Sequence, residues 1–317
     1  MKKMIMMLVA ILSSGIANAN TVDFGAFSLD FTDTLSGASN PASGWGVVNY
    51  DYQMGKHEIT QSQFDAYRST AGFAPNVHGY NGANRPANLT NWFEAAQFVN
   101  WLNTSQGYQA AYDISSVSLD VNGSTFNAWG AVDAANGGTN LYRHKDAVFF
   151  MPSADEWVKA AYWNDTTSTL QQYATKDGLL PDEWTATGGD NSDGQGAGWN
   201  YGSAYPNNSS STDVPWDVTA GYSAEELNGT QDMMGNVSEW QESPYSDTFY
   251  GDTANRSYRG GAFTQSSSNL RSSYSFSRGP SDGHVYIGFR VATIPEPCTI
   301  SLLAIGGVSA MRRRRKL

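Results

Sequence analysis

The residues best suited to metal or acid–base chemistry in this sequence are its histidines, which are scattered along the chain. The chain has 4 of them, at His57, His78, His144 and His284. None has a second histidine at a metal-binding spacing, because the His57-Glu58 pair is not completed to H-E-x-x-H. We expect them in solvent-exposed or turn positions. Nucleophile-elbow, P-loop and dinucleotide fingerprints do not occur either.

Thiol chemistry is confined to one cysteine near the C-terminus, Cys298. The chain therefore forms no intramolecular disulfide, and residues 20–294 contain no thiol for metal or redox chemistry. Adjacent carboxylates such as Asp155-Glu156 and Asp182-Glu183 are common at helix starts and in acidic loops. We do not interpret them as acid–base pairs.

The most specific string in the chain is DMMGNVSEW, at residues 232–240. By itself it is consistent with a turn that enters a strand, with Gly235 at positive φ. It belongs, however, to an ordered series of blocks, which are HEIT at 57–60, RPANLTNW at 85–92, MPSADEW at 151–157, RGGAF at 259–263, LR at 270–271 and GFRVA at 288–292.

This ordered series resembles the formylglycine-generating enzyme family, also called sulfatase-modifying factor domains, over roughly residues 45–293. The resemblance implies an α+β fold, a variant of the C-type-lectin-like fold, that is loop-rich and has little regular secondary structure. The composition agrees with this expectation, since the chain holds 32 glycines, 10 tryptophans and 17 tyrosines.

The resemblance also implies a structural calcium site in the segment before Glu-Trp. Its ligands would be the side chains of Asp232 and Glu239 and the backbone carbonyls of Gly235 and Val237. Calcium takes hard oxygen ligands in flexible geometry, so this chemistry is reasonable. The alternative is that the two carboxylates cap turns without a metal.

The cysteine pair that the family uses for oxidation is missing. That pair lies five residues apart and binds copper(I) and the substrate thiol, and thiolates suit this ion. An ungapped alignment on residues 259–263 places Gln265 and Leu270 at the two positions, and Ala262 where the family has a serine. We therefore expect no copper and no formylglycine-generating activity.

Polar and aromatic residues alternate where the family's catalytic cleft would lie. Such a mixture makes an adaptable binding surface. The candidate ligand-binding residues are Phe263, Gln265, Asn269, Arg271, Tyr274, Arg278 and Tyr286. The leading interpretation is a non-oxidase ligand-binding module. The alternatives are an enzyme on the same scaffold, of sulfatase-modifying or other oxidoreductase type with a different cofactor, and a structural matrix protein.

Three short helices are predicted to support these blocks. Thr60 can cap a helix that starts at Gln61. Asn91 with Glu94, and Ser153 with Glu156, have the spacing of capping boxes ahead of further helices. A strand is expected at residues 47–52. The aromatic residues within 178–222 indicate an ordered loop.

The N-terminus has the pattern of a signal peptide over residues 1–19. Two lysines precede an apolar run at 4–16, and the small-residue motif ANA follows at 17–19. Cleavage there would leave Asn20 first. A membrane anchor is the alternative, although the run is short for a bilayer crossing.

The C-terminus, residues 295–317, resembles a PEP-CTERM sorting tail. Pro295, Glu296 and Pro297 precede an apolar stretch and then the basic run 312–316. The resemblance implies recognition by an exosortase-type membrane protease, and an uncleaved transmembrane tail is the alternative. Both interpretations place the domain, residues 20–294, beyond the inner membrane: in the periplasm first, and then at the outer membrane, the cell surface or the exopolysaccharide matrix.

The net charge of the chain indicates which kinds of molecule it can bind. The formal net charge is −11, and seven of the 19 basic residues lie in the two ends. The domain is therefore more acidic than the whole chain. This excludes a nucleic-acid partner, because such binding depends on neutralising phosphates with lysine and arginine. We expect a glycan or protein ligand at the surface.

Overall fold

The computed structural model describes residues 20–114, 127–180, 200, 214–218, 226–245 and 255–295. Most of these residues lie in loops. No helix in these ranges is long and apolar enough to cross a membrane. The predicted signal peptide, Glu296 and Pro297 lie outside the described residues, as does most of the segment 178–222.

The helices are α1 (Gln61–Thr70), α2 (Trp92–Ser105), α3 (Ala135–Gly138) and α4 (Ala154–Tyr162). The short α3 is a single turn with positive φ at Asn136 and Gly137. The three long helices begin where the sequence predicts. Each has a complete capping box, in which the N-cap side chain and the side chain three residues later accept each other's backbone N–H.

The strands are short and scattered along the chain. They are β1 (Thr21–Asp23), β2 (Ser28–Asp30), β3 (Gln53–Met54), β4 (Asn140–His144), β5 (Phe149–Phe150), β6 (Trp163–Asn164), β7 (Thr169–Leu170), β8 (Ser238–Pro244), β9 (Arg256–Arg259), β10 (Phe276–Arg278), β11 (Ile287–Gly288) and β12 (Ala292–Thr293). A 3₁₀ helix covers Ser267–Leu270.

The strand predicted at residues 47–52 is wrong in its bounds. Val48 and Tyr52 form only isolated bridges, with Ser39 and Leu35. The regular strand, β3, follows at Gln53–Met54. The β-branched and aromatic residues of the segment are those that strands favour, but its partner is an irregular loop.

Two sheets organise the centre of the molecule. The larger has the order β10-β9-β8-β11, with β11 parallel to β8 and the other pairs antiparallel. The smaller has the order β3-β12-β5 and is antiparallel throughout. Strand β12, from the end of the domain, thus pairs with two strands from the first half of the chain. Strand β8 begins with the last three residues of the most specific string.

Two hydrophobic cores flank these sheets. One contains α1, α2 and the ring of Trp240, and the other contains α4 with Met233, Met234 and Leu270. Indole N–H groups join the parts: Trp240 donates to the carbonyl of Thr90 at 2.9 Å, and Trp92 donates to that of Gln241 at 2.9 Å. Buried aromatic anchors therefore replace extended secondary structure as the source of order.

Candidate functional site

The loop that leads into β8 is held in a compact, left-handed path. Asp232, Gly235 and Asn236 have φ of 60°, 85° and 51°. A Cβ on Gly235 would lie 2.5 Å from the backbone oxygen of Asn200. The next residue, Asn236, donates its N–H to that same oxygen at 2.9 Å. Only glycine fits this position, as the string indicates.

Glu239 lies in β8 and is fully buried. Its Oε2 accepts hydrogen bonds from Nε of Arg290 at 2.6 Å and from the indole Nε1 of Trp157 at 2.7 Å. Its Oε1 accepts from Nη2 of Arg290 at 2.5 Å. Both carboxylate oxygens are therefore engaged by a bidentate arginine and an indole.

Arg290 uses every donor that a guanidinium has. Besides the two bonds to Glu239, Nη1 donates to the carbonyls of Gly55 at 3.0 Å and Lys56 at 3.1 Å. Nη2 also donates to the carbonyl of Gln231 at 2.9 Å. This accounts for all five N–H groups, so Arg290 binds three separate segments to one another.

The calcium ligands implied by the resemblance do not fit this geometry. Both Glu239 oxygens are occupied and their charge is paired with Arg290. In the described part of the chain, no three or more His, Cys, Asp or Glu side chains are grouped to hold a metal ion. Gly235 and Val237 shape the loop, and Val237 is fully buried. Calcium remains a prediction from the resemblance alone.

Further carboxylates surround Arg290, and we refer to Arg290, Glu239, Glu58, Glu226 and Asp232 as the Arg290 cluster. Glu58 is 1% exposed, and within the described part of the chain neither of its carboxylate oxygens has a hydrogen-bond partner. Burial, and then the charge of Asp232, raise the pKa of Glu58 well above its ordinary value, while Arg290 opposes them. Burial raises the pKa of Glu226 to about 8. Burial therefore favours the protonated, neutral form of the Glu58 and Glu226 carboxyl groups.

Glu58 and Arg290 lie inside two of the sequence blocks, HEIT and GFRVA, but the sequence analysis predicted no role for either residue. A signal was present. Glu58 precedes Ile59, and Arg290 lies between Phe289 and Val291. A charged residue within an apolar block indicates a buried ion that needs a partner.

A second buried arginine defines the Arg143 cluster, which is Arg143, Glu156 and Glu242. Nη2 of Arg143 lies 2.8 Å from Oε1 of Glu156 and 3.3 Å from Oε1 of Glu242. The guanidinium carbon lies 3.6 Å from the centre of the Phe150 ring. One nitrogen thus serves two carboxylates, and the Nε of Arg143 has no hydrogen-bond partner among the described residues.

Glu242 has two further partners. The hydroxyl of Tyr112 lies 3.2 Å from its Oε2, and the amide of Asn140 donates to its Oε1 at 2.5 Å. Burial raises the pKa of Glu242 to about 7, Arg143 lowers it, and the charge of Glu156 raises it further. This carboxyl group titrates in the neutral range.

Part of the predicted ligand-binding set comes together beside β8 and β10. We call Tyr274, Phe276 and Tyr286 the aromatic face. Tyr274 and Phe276 are edge-on at 4.7 Å between ring centres, and Phe276 stacks on Tyr258 at 5.2 Å. Tyr274 is 38% exposed.

Polar groups border the aromatic face. The Oε1 of Gln265 is 3.5 Å from the hydroxyl of Ser238, and the backbone N–H of Ser238 donates to the carbonyl of Tyr286. The guanidinium of Arg278, which belongs to β10, lies 4.0 Å from the carboxylate of Asp282. Gln265 and Tyr286 therefore both lie next to Ser238. Tyr258, which stacks on Phe276, interacts electrostatically with Tyr274, Arg278 and Tyr286, which places Arg278 beside the same face.

Three other predicted residues do not join this surface. Phe263 is fully buried, with its ring edge-on to Tyr80. The Nε of Arg271 donates to the hydroxyl of Tyr173 at 3.2 Å. Asn269 accepts a hydrogen bond from Ser266 within the local turn. Local sequence could not separate these residues, because all lie in one short stretch.

The histidines are less exposed than we expected. His144 is 9% exposed, and the side chain of His78 is 4% exposed. Burial, with Arg290 nearby, lowers the pKa of His57 to about 4. His57 is therefore neutral at physiological pH.

Comparison with known proteins identifies a family and a curated protein that are similar to this chain. Residues 17–294 match the family described as "Sulfatase-modifying factor enzyme 1-like domain". A curated relative, "Chaperone protein LppX" of Paenibacillus barcinonensis, is 26% identical over 251 residues, which is 76% of this chain and 80% of the relative.

Solved structures share the fold at low identity. Treponema denticola variable protein 1 has a TM-score of 0.57 at 20% identity, covering 86% of this chain and 98% of that one. CarF has 0.55 at 19%, covering 84% and 98%. PvdO from Pseudomonas aeruginosa has 0.50 at 15%, covering 87% and 98%. The predicted fold class, a loop-rich α+β variant, is confirmed.

Proposed function

Because the chain belongs to the sulfatase-modifying factor enzyme 1-like family, we propose that it is an exported ligand-binding member that does not carry out cysteine oxidation. The aromatic face with its polar border is the observation that carries this proposal. Its rings supply rigid apolar area, and the amide of Gln265 and the guanidinium of Arg278 supply directional polar contacts.

The two positions aligned with the family's cysteines support a role without copper. Leu270 is fully buried, and a Cβ on Gly261 would lie 2.6 Å from its Cδ2. Gln265 offers an amide. Neither group provides the soft thiolate that copper(I) requires.

Glycan and peptide arrays probed with the full-length chain test the binding proposal. We expect a set of related ligands to bind, and binding to be lost in the double variant Gln265→Ala, Tyr274→Ala. A control, Gln106→Ala with Phe73→Ala, removes one exposed amide and one exposed ring outside the aromatic face and should bind as the wild type does. Arrays without hits, or a double variant that still binds, would overturn the proposal.

The curated relative is named a chaperone protein, which suggests a protein ligand as well as a glycan. Extended apolar peptides therefore belong on the peptide array. Selective capture of such peptides would assign the aromatic face to unfolded protein, whereas capture of sugars would assign it to the matrix.

Enzymatic activity on the same scaffold is the competing function. Incubation with copper and a sulfatase-type cysteine peptide, followed by mass spectrometry, should leave the cysteine unchanged. Any conversion to formylglycine would contradict the non-oxidase proposal.

Export and sorting rest on the two ends of the sequence. In a host that carries an exosortase, we expect the chain to leave the inner membrane and the tail to be removed near Pro295. A Glu296→Ala variant should stay in the membrane fraction, as should the wild type in a host without the protease. Equal release in all three cases would argue against sorting through this tail.

A further inference from the structure

Arg278, in β10, carries a positive charge that its neighbours neutralise only weakly. Its side chain is 32% exposed. Within the described ranges its ion pair is with Asp282, whose carboxylate lies 4.0 Å from the Nε of Arg278. That distance is too long for a hydrogen bond, and the side chain of Asp282 is itself 60% exposed. Exposed pairs contribute little, so Arg278 remains available to another anion.

The outer edge of the Arg278 guanidinium is open to solvent. Its Nε is buried and makes no hydrogen bond to the described residues. The two Nη atoms make none to these residues either, but neither is buried, so both are accessible. The planar guanidinium presents adjacent N–H groups in a fork that matches the two oxygens of a carboxylate.

A second arginine adds positive charge next to Arg278. Arg256 is the cross-strand partner of Arg278 in the β9–β10 ladder, and like charges at directly opposite positions destabilise a sheet. Arg256 is 5% exposed, and its guanidinium carbon lies 4.5 Å from the ring centre of Trp92. Its Nη1 donates to the carbonyl of Glu242 at 3.0 Å. These contacts hold Arg256 in place, so an anion bound at Arg278 would lower the repulsion between the two arginines.

The open guanidinium and the rings of the aromatic face lie on the same side of the sheet. Phe276 and Arg278 are alternate residues of β10, and alternate side chains of a strand point to the same face. The charge of Arg278 also helps to lower the pKa of His284, whose ring centre lies 3.7 Å from that of Tyr286. A ligand that contacts these rings is therefore close to Arg278.

Neutral polar groups favour a sugar as the source of the anion. Neither the Nε2 of Gln265 nor the hydroxyl of Tyr274 makes a hydrogen bond to the described residues, and neither atom is buried. Amide and hydroxyl groups pair with the hydroxyls of a sugar ring, whereas an acidic peptide side chain has no hydroxyl to offer. The apolar side of a sugar ring can lie against an exposed aromatic ring.

From these features we propose that the aromatic face binds an acidic sugar, whose carboxylate accepts hydrogen bonds from the two Nη atoms of Arg278. The rings of the aromatic face contact the apolar side of the sugar. Gln265 and Tyr274 pair with its hydroxyls. This inference rests on the ligand-binding function proposed above and names the class of ligand.

A glycan array that carries uronic-acid oligosaccharides, each beside its methyl ester, tests the proposal with the full-length chain. Esterification removes the charge but keeps the ring and its hydroxyls. We expect the acids to bind about tenfold more tightly than their esters, because charge-assisted hydrogen bonds are lost. Equal binding of acids and esters, or hits restricted to neutral sugars or to acidic peptides, would overturn this inference while leaving the ligand-binding function in place. An array without hits would overturn both.

Variants test whether Arg278 receives the carboxylate. Arg278→Gln should weaken the acid about tenfold and leave the ester unchanged. Arg278→Lys keeps the charge without the planar fork and should lie in between. Asp282→Asn removes a competing carboxylate and should tighten the acid severalfold. The control Lys145→Gln removes a positive charge that pairs with Asp133 and should alter neither affinity. An Arg278→Gln variant that binds the acid as the wild type does would overturn the proposal.

Discussion

Two buried arginines, Arg290 and Arg143, each meet carboxylates in this domain but distribute their donors differently. Arg290 pairs with Glu239 through two nitrogens and gives its remaining donors to backbone carbonyls. Arg143 places one nitrogen between Glu156 and Glu242. The first guanidinium is fully satisfied, and the second is shared.

The difference separates a fixed ion pair from a titratable one. Glu239 is held in one position by a bidentate bond to Arg290. Glu242 competes with Glu156 for a single cation, and burial raises its pKa to about 7. Saturated donors thus give rigidity, whereas a shared donor leaves a proton to be gained or lost near neutral pH.

The strongest test of this contrast is to remove each arginine. Arg290→Met should cost about 3–5 kcal/mol of unfolding free energy, because it leaves Glu239 buried without its cation and removes a side-chain donor from three backbone carbonyls. Urea denaturation measures the loss. Arg271→Met, at an exposed arginine, should stay within about 0.5 kcal/mol of the wild type.

Arg143→Met should cost less than Arg290→Met at pH 6, because Glu242 is then largely protonated and only Glu156 loses its cation. A loss as large as that of Arg290→Met would show that the shared arginine is equally essential, and the contrast would fail.

The pH dependence of stability tests whether Glu242, in the Arg143 cluster, titrates near neutral pH. The folded pKa of Glu242 lies above its value of 4.5 in the unfolded chain. Between these values the folded state holds a proton that the unfolded state has released, so stability falls as pH rises from 4.5 to about 7. One such group contributes a slope of about 1.4 kcal/mol per pH unit, or about 3 kcal/mol in total.

Glu242→Gln should remove that part of the slope. Glu226→Gln should remove a similar contribution that extends to about pH 8, since burial raises the pKa of Glu226 to that value. Denaturation curves from pH 5 to 8 report both effects, with Asp51→Asn as the exposed control. A wild-type slope retained in Glu242→Gln would mean that this carboxyl does not titrate there.

The rigidity of the loop before β8, which leads to the partner of Arg290, can be tested by substituting Gly235. Gly235→Ala should cost about 2–3 kcal/mol, because the new methyl group meets the backbone oxygen of Asn200 in a left-handed conformation. Gly37 has a similar φ of 78° with nothing within 4 Å of a Cβ. Gly37→Ala should therefore cost only about 1 kcal/mol. Equal losses in chemical denaturation would mean that the loop yields to the methyl group.

The smallest expected effect concerns calcium. Since Glu239 is already paired with Arg290, thermal midpoints in calcium and in EGTA should be the same. A clearly higher midpoint in calcium would restore the predicted site, and would require Glu239 to release at least one of its present partners.

The helices could be predicted from sequence because their signals are local. Thr60, Asn91 and Ser153 each lie three residues from a partner that completes the cap. The strand near residue 50 was misplaced because pairing is decided by distant segments. β3, for example, pairs with β12.

In the candidate site, too, local features could be predicted from sequence and contacts between distant segments could not. The string at 232–240 predicted a positive φ at Gly235, which the structure confirms. The same string drew attention to Glu239. Its partner Arg290 is 51 residues away, and nothing in the spacing shows that the two meet. The calcium prediction gave Glu239 a ligand role without knowledge of that contact. The burial of Phe263 was likewise not visible within one short stretch of sequence.

The bonds from Arg290 to residues 55 and 56 have a consequence for the order of folding. They span up to 235 positions in the chain, and β12, placed between β3 and β5, is made by Ala292–Thr293. Contacts so distant in sequence form late and slowly. A chain that is still emerging from the ribosome lacks these residues, so it cannot complete the domain until residues 290–293 have been synthesised.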